Sequence, residues 1–135
     1  MSEPRPVAPP DSQTQAFWDA TREGRLTIQR CAACSHAQHY PRMICTACGS
    51  TDLRQDDASG RGTIYSYTVV HRAPNPAFTP PYVVALVRLE EGPLLLSNIA
   101  GDPDAARCDV PVSLVWEDLS DGRRLPLFRP AQGGE

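Results

Sequence analysis

Apolar and polar positions change period twice along this chain. In residues 12–24, Phe17, Ala20 and Thr21 fall on one helical face. They predict a short helix from about residue 13 to 23. Ser12 and Gln15 have the spacing of a capping box at its start. Gly24 is placed to end it in a left-handed conformation. Trp18 lies off that face. Two neighbouring large aromatics on so short a helix cannot both face one core, so either one packs on the ribbon and the other snorkels, or Trp18 or Phe17 docks on a partner.

From Leu26 the period becomes two. Leu26-Thr-Ile-Gln-Arg30 alternates as a strand does. After residue 59 come further strand-like runs at 63–70, 82–89, 94–99, 110–116 and 124–128. Glu91-Gly92 and Asp121-Gly122 supply turns between them. Pro126 in the last run suggests an edge or a bulge. Five strands with a longer break between the third and fourth fit an OB-fold barrel over residues 59–130. The predicted class is therefore mostly β: a short helix at 12–24, a small ribbon at 25–58, then the five-stranded barrel. Residues 1–11, rich in proline and without periodicity, read as a disordered tail, and residues 131–135 as a second one.

The ribbon assignment rests on cysteine. Cys31-Ala-Ala-Cys34 and Cys45-Thr-Ala-Cys48 form two pairs with ten residues between them. Each pair fits a tight turn that aims two thiolates at one ion, and two such turns complete a tetrahedral four-sulfur shell. With all four positions filled by protein, such a Zn2+ is structural. Two disulfides are the competing use of the same residues. No apolar leader segment begins the chain, so the expected compartment is the reducing cytoplasm, where paired cysteines favour metal. A redox dithiol explains only one pair. His36 and His39 lie between the pairs and read as surface or supporting residues. Cys108 reads as a plain, half-buried thiol. A segment of this size cannot bury enough to fold alone, and zinc binding contributes on the order of 10 kcal/mol in comparable peptides. Replacing one cysteine is expected to unfold residues 25–58 without necessarily unfolding the barrel.

Composition narrows the function. The net charge is −3, and all 13 basic residues are arginine. Every cation can therefore make forked hydrogen bonds, but no basic block exists. No apolar run approaches membrane-spanning length. There is no nucleophile elbow and no phosphate-binding glycine loop. The carboxylate pairs Asp56-Asp57, Glu90-Glu91 and Glu117-Asp118 read as solvated charge in turns. No catalytic residue is assigned.

The order of motifs resembles a known family. Carrying the resemblance are the Phe17-Trp18 helix, Gly24-Arg-Leu26, Gln29-Arg-Cys31-Ala-Ala-Cys34, Tyr40-Pro-Arg42 and Cys45-Thr-Ala-Cys48-Gly-Ser50. Further along are Ser59-Gly-Arg-Gly-Thr-Ile64, Tyr67-Thr-Val-Val-His-Arg72, Pro81-Tyr-Val-Val-Ala-Leu-Val87, Glu91-Gly-Pro-Leu94 and Leu125-Pro-Leu-Phe128. Together they look like the thiolase-associated zinc-ribbon/OB-fold proteins, over residues 12 to 130. The resemblance implies a rubredoxin-like zinc ribbon, an OB-fold and a non-catalytic role beside a thiolase-superfamily enzyme acting on acyl-CoA. In the steroid side-chain aldolases of this group, a lipid-transfer-type partner performs retro-aldol cleavage of a β-hydroxyacyl-CoA. A dimeric core of that kind implies two copies of each subunit and a shared acyl-CoA channel. Two positions depart from the family pattern. Ser35 and Asp109 stand where glycine is common, and Ser35 is expected to tighten its turn.

The loop 71–82 is the best candidate for binding. Four prolines stiffen it and lower the ordering cost of association. His71 and Arg72 open it, and Phe78 and Tyr82 are apolar anchors, with Phe78 as a plug of the barrel end in the competing reading. Arg72 suits either a CoA phosphate or an ion pair. Phe17, Trp18, His71, Arg72, Phe78 and Tyr82 are thus the expected partner or acyl-CoA contacts. The alternative function is single-stranded nucleic-acid binding, with Tyr65 and Tyr67 as stacking residues. The negative charge argues against it.

Overall fold

The structure is a computed structural model and describes residues 5–131. The outer parts of the two predicted tails, residues 1–4 and 132–135, lie outside the described residues. Helix α1 spans Gln15–Arg22 and buries Phe17, Ala20 and Thr21, the face its spacing predicts. Its start differs from the expected capping box. Asp11, not Ser12, accepts from the Gln13 and Thr14 N–H groups at 2.9 Å, and Thr14 Oγ1 accepts from the Asp11 N–H at 3.0 Å. The reciprocal geometry of a capping box is present, displaced one residue towards the N-terminus. Both N–H groups converge on one oxygen, Asp11 Oδ1, whose negative charge strengthens the two bonds. At the other end Gly24 adopts φ +75°, and the Arg25 N–H reaches back to the Ala20 carbonyl at 3.0 Å.

Three short strands form the ribbon sheet: β1 (Thr27–Cys31), β2 (Ala37–Gln38) and β3 (Leu53–Asp57), in the order β2-β1-β3. No strand lies between Tyr40-Pro41-Arg42 and the second cysteine pair. The return is made by β2 before it and by β3 after the second cysteine pair. Leu53-Arg-Gln-Asp-Asp57 is almost entirely polar and shows no alternation. Pairing with all five residues of β1 makes it a strand.

Five strands close the barrel: β4 (Arg61–Val70), β5 (Tyr82–Leu89), β6 (Leu94–Ile99), β7 (Pro111–Asp118) and β8 (Arg124–Pro130). Their order is β4-β5-β6-β8-β7, with β7 returning to β4. A bulge at Tyr65 lets β4 bend and pair with both neighbours. Val83, Ala85, Val87 and Leu89 point inward from β5, as strict alternation requires. The core does not stop at the barrel wall. Phe17 of α1 and Leu26 and Ile28 at the start of the ribbon join Ile64, Val87, Leu95, Val112 and Phe128 in one buried cluster.

The seam between β6 and β8 is thin. Only Ile99 and Phe128 pair across it, in parallel. Pro126 explains the gap. Its carbonyl faces β6 and accepts from Ser97 Oγ at 2.8 Å. The N–H and C=O of one strand residue point to the same edge. The donor that proline lacks is therefore missing on the β6 side, and the β7–β8 ladder is unaffected. Residues 5–11 have no helix or strand, yet they lie against the barrel through Arg5, Val7 and Ala8. Among the described residues, no helix is long and apolar enough to cross a membrane.

Candidate functional site

The two cysteine turns are built alike. In the first, the Ser35 N–H donates to the Cys31 carbonyl at 2.8 Å, the Cys31 N–H to the His36 carbonyl at 2.9 Å, and the Ala33 N–H to Cys31 Sγ at 3.3 Å. In the second, Gly49, Cys45 and Ala47 repeat this pattern at 2.9, 2.8 and 3.3 Å. Ser35 holds φ +67° and Gly49 φ +80°, so the two residues occupy one backbone role. The turn at Ser35 is therefore not tighter than its glycine counterpart, contrary to expectation. It makes the same bonds in a conformation that costs a non-glycine residue more.

All four Sγ atoms lie within 4.8 Å of one another, with Cys31–Cys48 and Cys34–Cys45 at 3.6 Å. Tetrahedral Zn–S bonds of about 2.3 Å place sulfurs roughly 3.8 Å apart. The donor set and its spacing thus suit one structural zinc. Backbone N–H groups, first that of Cys34 and then that of Ala33, hold the Cys31 thiol down to about 7 against the opposing effect of burial.

The support around the site includes residues that sequence reasoning missed. Gln38 is 5% exposed. Its Oε1 accepts from the Thr46 N–H at 2.9 Å, and its Nε2 donates to Gln29 Oε1 at 2.8 Å and to the Ile44 carbonyl at 3.1 Å. Gln29 in turn binds both backbone groups of Arg42. Two amides thus fix the second turn to β1 and β2. His36 lies beside the zinc turns, 3.2 Å from Thr46 Oγ1. His39 points elsewhere, to Phe17 and Tyr40. Burial pushes its imidazole down to about 4, so it is neutral there. Cys108 is exposed, not half-buried. Glu90 and Glu91 are not simply solvated. They accept from Ser59 Oγ and the Ser59 N–H at 2.8 and 2.7 Å and tie the ribbon-to-barrel junction to the β5–β6 turn.

The second feature is an apolar cleft of about 430 Å3 between α1, the ribbon, the 71–82 loop and the β6–β8 seam. It brings together four of the six expected binding residues. Phe17 and Trp18 meet edge to face at 5.1 Å, and Phe78 stacks on Tyr82 at 5.3 Å. Phe17 is 8% exposed, so its ring belongs to the core. Trp18 is half-buried with the Arg123 guanidinium 4.7 Å above its ring. Phe78 is a wall of the cleft. His71 and Arg72 are exposed and do not line it. The loop could be found from its prolines. The cleft could not, because its floor is the seam that Pro126 leaves unpaired.

A four-cysteine ribbon fused to a closed OB barrel, sharing one core, defines the class. Residues 18–54 match the rubredoxin-like zinc ribbon domain of ChsH2, and residues 55–117 match its C-terminal OB-fold domain. A DUF35 domain-containing scaffold protein of Pyrococcus furiosus is 30% identical over 81% of this chain and 82% of its own length. The benzoylsuccinyl-CoA thiolase subunit BbsA of Geobacter metallireducens is 32% identical, covering 73% of this chain and 67% of BbsA. The solved Ltp2-ChsH2(DUF35) aldolase superposes with TM-score 0.85 at 43% identity, over 95% of this chain and 100% of the matched one. The chain belongs to the ChsH2-type, or DUF35, zinc-ribbon/OB-fold family. A probable enoyl-CoA hydratase alpha subunit of Thermomonospora curvata is 47% identical over 95% of this chain. This chain spans only 40% of that protein's length.

Proposed function

We propose that this protein is a non-catalytic accessory subunit that binds a thiolase-like enzyme and supports its acyl-CoA chemistry. The observation that carries the reading is the likeness to the matched chain of the Ltp2-ChsH2(DUF35) aldolase, which this chain covers from end to end at 43% identity. Two of the relatives, a scaffold protein and a thiolase subunit, agree with it. The reaction assisted is retro-aldol cleavage of a steroid side-chain β-hydroxyacyl-CoA, or acyl transfer. Two copies of each subunit and an acyl-CoA channel shared between them belong to the same proposal.

Contacts to the enzyme come from Trp18 and the 71–82 loop, with Phe17 holding Trp18 in place. His71 and Arg72, exposed at the start of the loop, face the partner or the CoA group. Zinc contributes by holding the ribbon, and through Leu26 and Ile28 the barrel, in one shape. The nucleic-acid alternative gains no support from the tyrosines. Tyr65 is exposed, but Arg88 lies against its ring, within a protein of net charge −3.

The test is co-purification of tagged protein with a thiolase-superfamily enzyme from its host, with aldolase and thiolase assays of the complex. Trp18→Ala combined with Phe78→Ala should cut recovery of the enzyme at least tenfold with zinc content unchanged. Recovery at full strength from the double variant refutes the contact assignment. Salt-sensitive binding of polynucleotide without any such enzyme refutes the accessory role.

A further inference from the structure

The cleft carries its own cover. Residues 5–10 run from its Phe78 wall to its Trp18 wall and are held at two points. At one end Arg5 Nε meets Glu117 Oε2 at 2.6 Å and Arg5 Nη1 donates to Asn98 Oδ1 at 2.8 Å. The same guanidinium lies 5.0 Å from the centre of the Phe78 ring. At the other end Arg123, 4% exposed, donates to the carbonyls of Ala8 at 2.8 Å and Val7 at 3.4 Å. Asp121 Oδ2 holds Arg123 Nε at 2.7 Å, and Trp18 lies beneath. Between the two latches, Arg5, Pro6 and Val7 line the cleft.

These are point attachments. Among the described residues, the segment joins neither sheet. A stretch held by side chains and single carbonyls opens locally while the rest stays folded. Pro6, Pro9 and Pro10 restrict its free conformations, so closing again costs less entropy than for an ordinary chain. Beneath it, Leu95, Leu127 and Val84 form an apolar floor of a size typical of small-molecule sites. The Arg5–Glu117 pair sits at the rim with its side chains 21% and 41% exposed, where water can compete for it.

We propose that residues 5–10 are a displaceable strap closing a latent site for a small apolar molecule, with Arg5 and Arg123 as its two latches. Arg5 is the weaker latch, being more exposed. Arg123 is anchored from below by Asp121 and Trp18 and stays put when the strap lifts.

The test uses the full-length, zinc-loaded chain and the probe 8-anilino-1-naphthalenesulfonate. Arg5→Ala should bind the probe at least fivefold more tightly than the natural protein, with zinc content and circular dichroism unchanged. In a Trp116→Phe background, where Trp18 is the remaining indole, the same substitution should shift emission to longer wavelength. A chain lacking residues 1–10 should reproduce both effects. If Arg5→Ala and the truncated chain both bind the probe no better than the natural protein, the strap covers nothing and the proposal fails. It fails equally if the gain in binding comes only with loss of zinc or of circular dichroism, since the segment is then part of the fold.

Discussion

Ser35 and Asp109 hold φ of +67° and +69°, the two non-glycine residues with positive φ among those described. Ser35 takes the role that Gly49 takes in the second cysteine turn, and both Ser35 and Asp109 hold a backbone conformation without the residue that makes it cheap. The left-handed region costs a non-glycine residue roughly 1–2 kcal/mol. Glycine's extra freedom in the unfolded chain returns part of this, about 0.4–1 kcal/mol. Ser35→Gly and Asp109→Gly should therefore each stabilise the protein by about 0.5–1 kcal/mol in urea denaturation. His39 makes a second prediction at this scale. Its folded value of about 4 lies below the ordinary 6.5, so the unfolded chain takes up the proton first as pH falls. Stability from a neutral His39 is complete above pH 6.5 and declines as pH drops towards 4. His39→Phe should flatten that part of the curve, and the difference between the two proteins separates it from acid release of zinc.

At the scale of elements, β4 depends on one glycine for reasons of space. A Cβ on Gly62 would lie 2.4 Å from the Arg88 carbonyl oxygen and 2.9 Å from Val87 Cγ1. Neither can withdraw, because β5 is paired on both sides. Gly62→Ala should destabilise the barrel by about 1–3 kcal/mol or more, measured by thermal unfolding. The legibility of each element follows its chemistry. β5 and β6 could be read residue for residue because one face is buried and the other is not. β3 could not, because its strand character comes from β1. The helix face was legible in Phe17, Ala20 and Thr21, while its cap depended on a competition between Asp11 and Ser12 that spacing alone does not decide.

For the whole molecule, the shared core changes what zinc is expected to do. Leu26 and Ile28 are each 3% exposed and pack with barrel residues. A collapsed ribbon would withdraw both, and burying one such side chain contributes about 1.5–3 kcal/mol. The sequence-based expectation treated the barrel as separable from the ribbon. The structure predicts instead that Cys45→Ser, or chelation of the metal, unfolds residues 25–58 and also weakens the barrel by several kcal/mol. Hydrogen exchange resolved by residue checks this: amides of β5 and β7 should lose protection together with those of β1. Unchanged protection in β5 and β7 would mean that the two modules are independent.

The amino-acid sequence alone determined the zinc ligands, the five barrel strands and the family. Each is encoded locally, in a spacing, an alternation or an order of motifs. The apolar cleft, the strap over it, the Gln38 network and the neutral His39 were decided by tertiary structure. Their residues come from segments far apart in the chain and acquire meaning only when folding brings them together. Arg5 and Glu117 are 112 positions apart, and no period or spacing links them before the barrel closes.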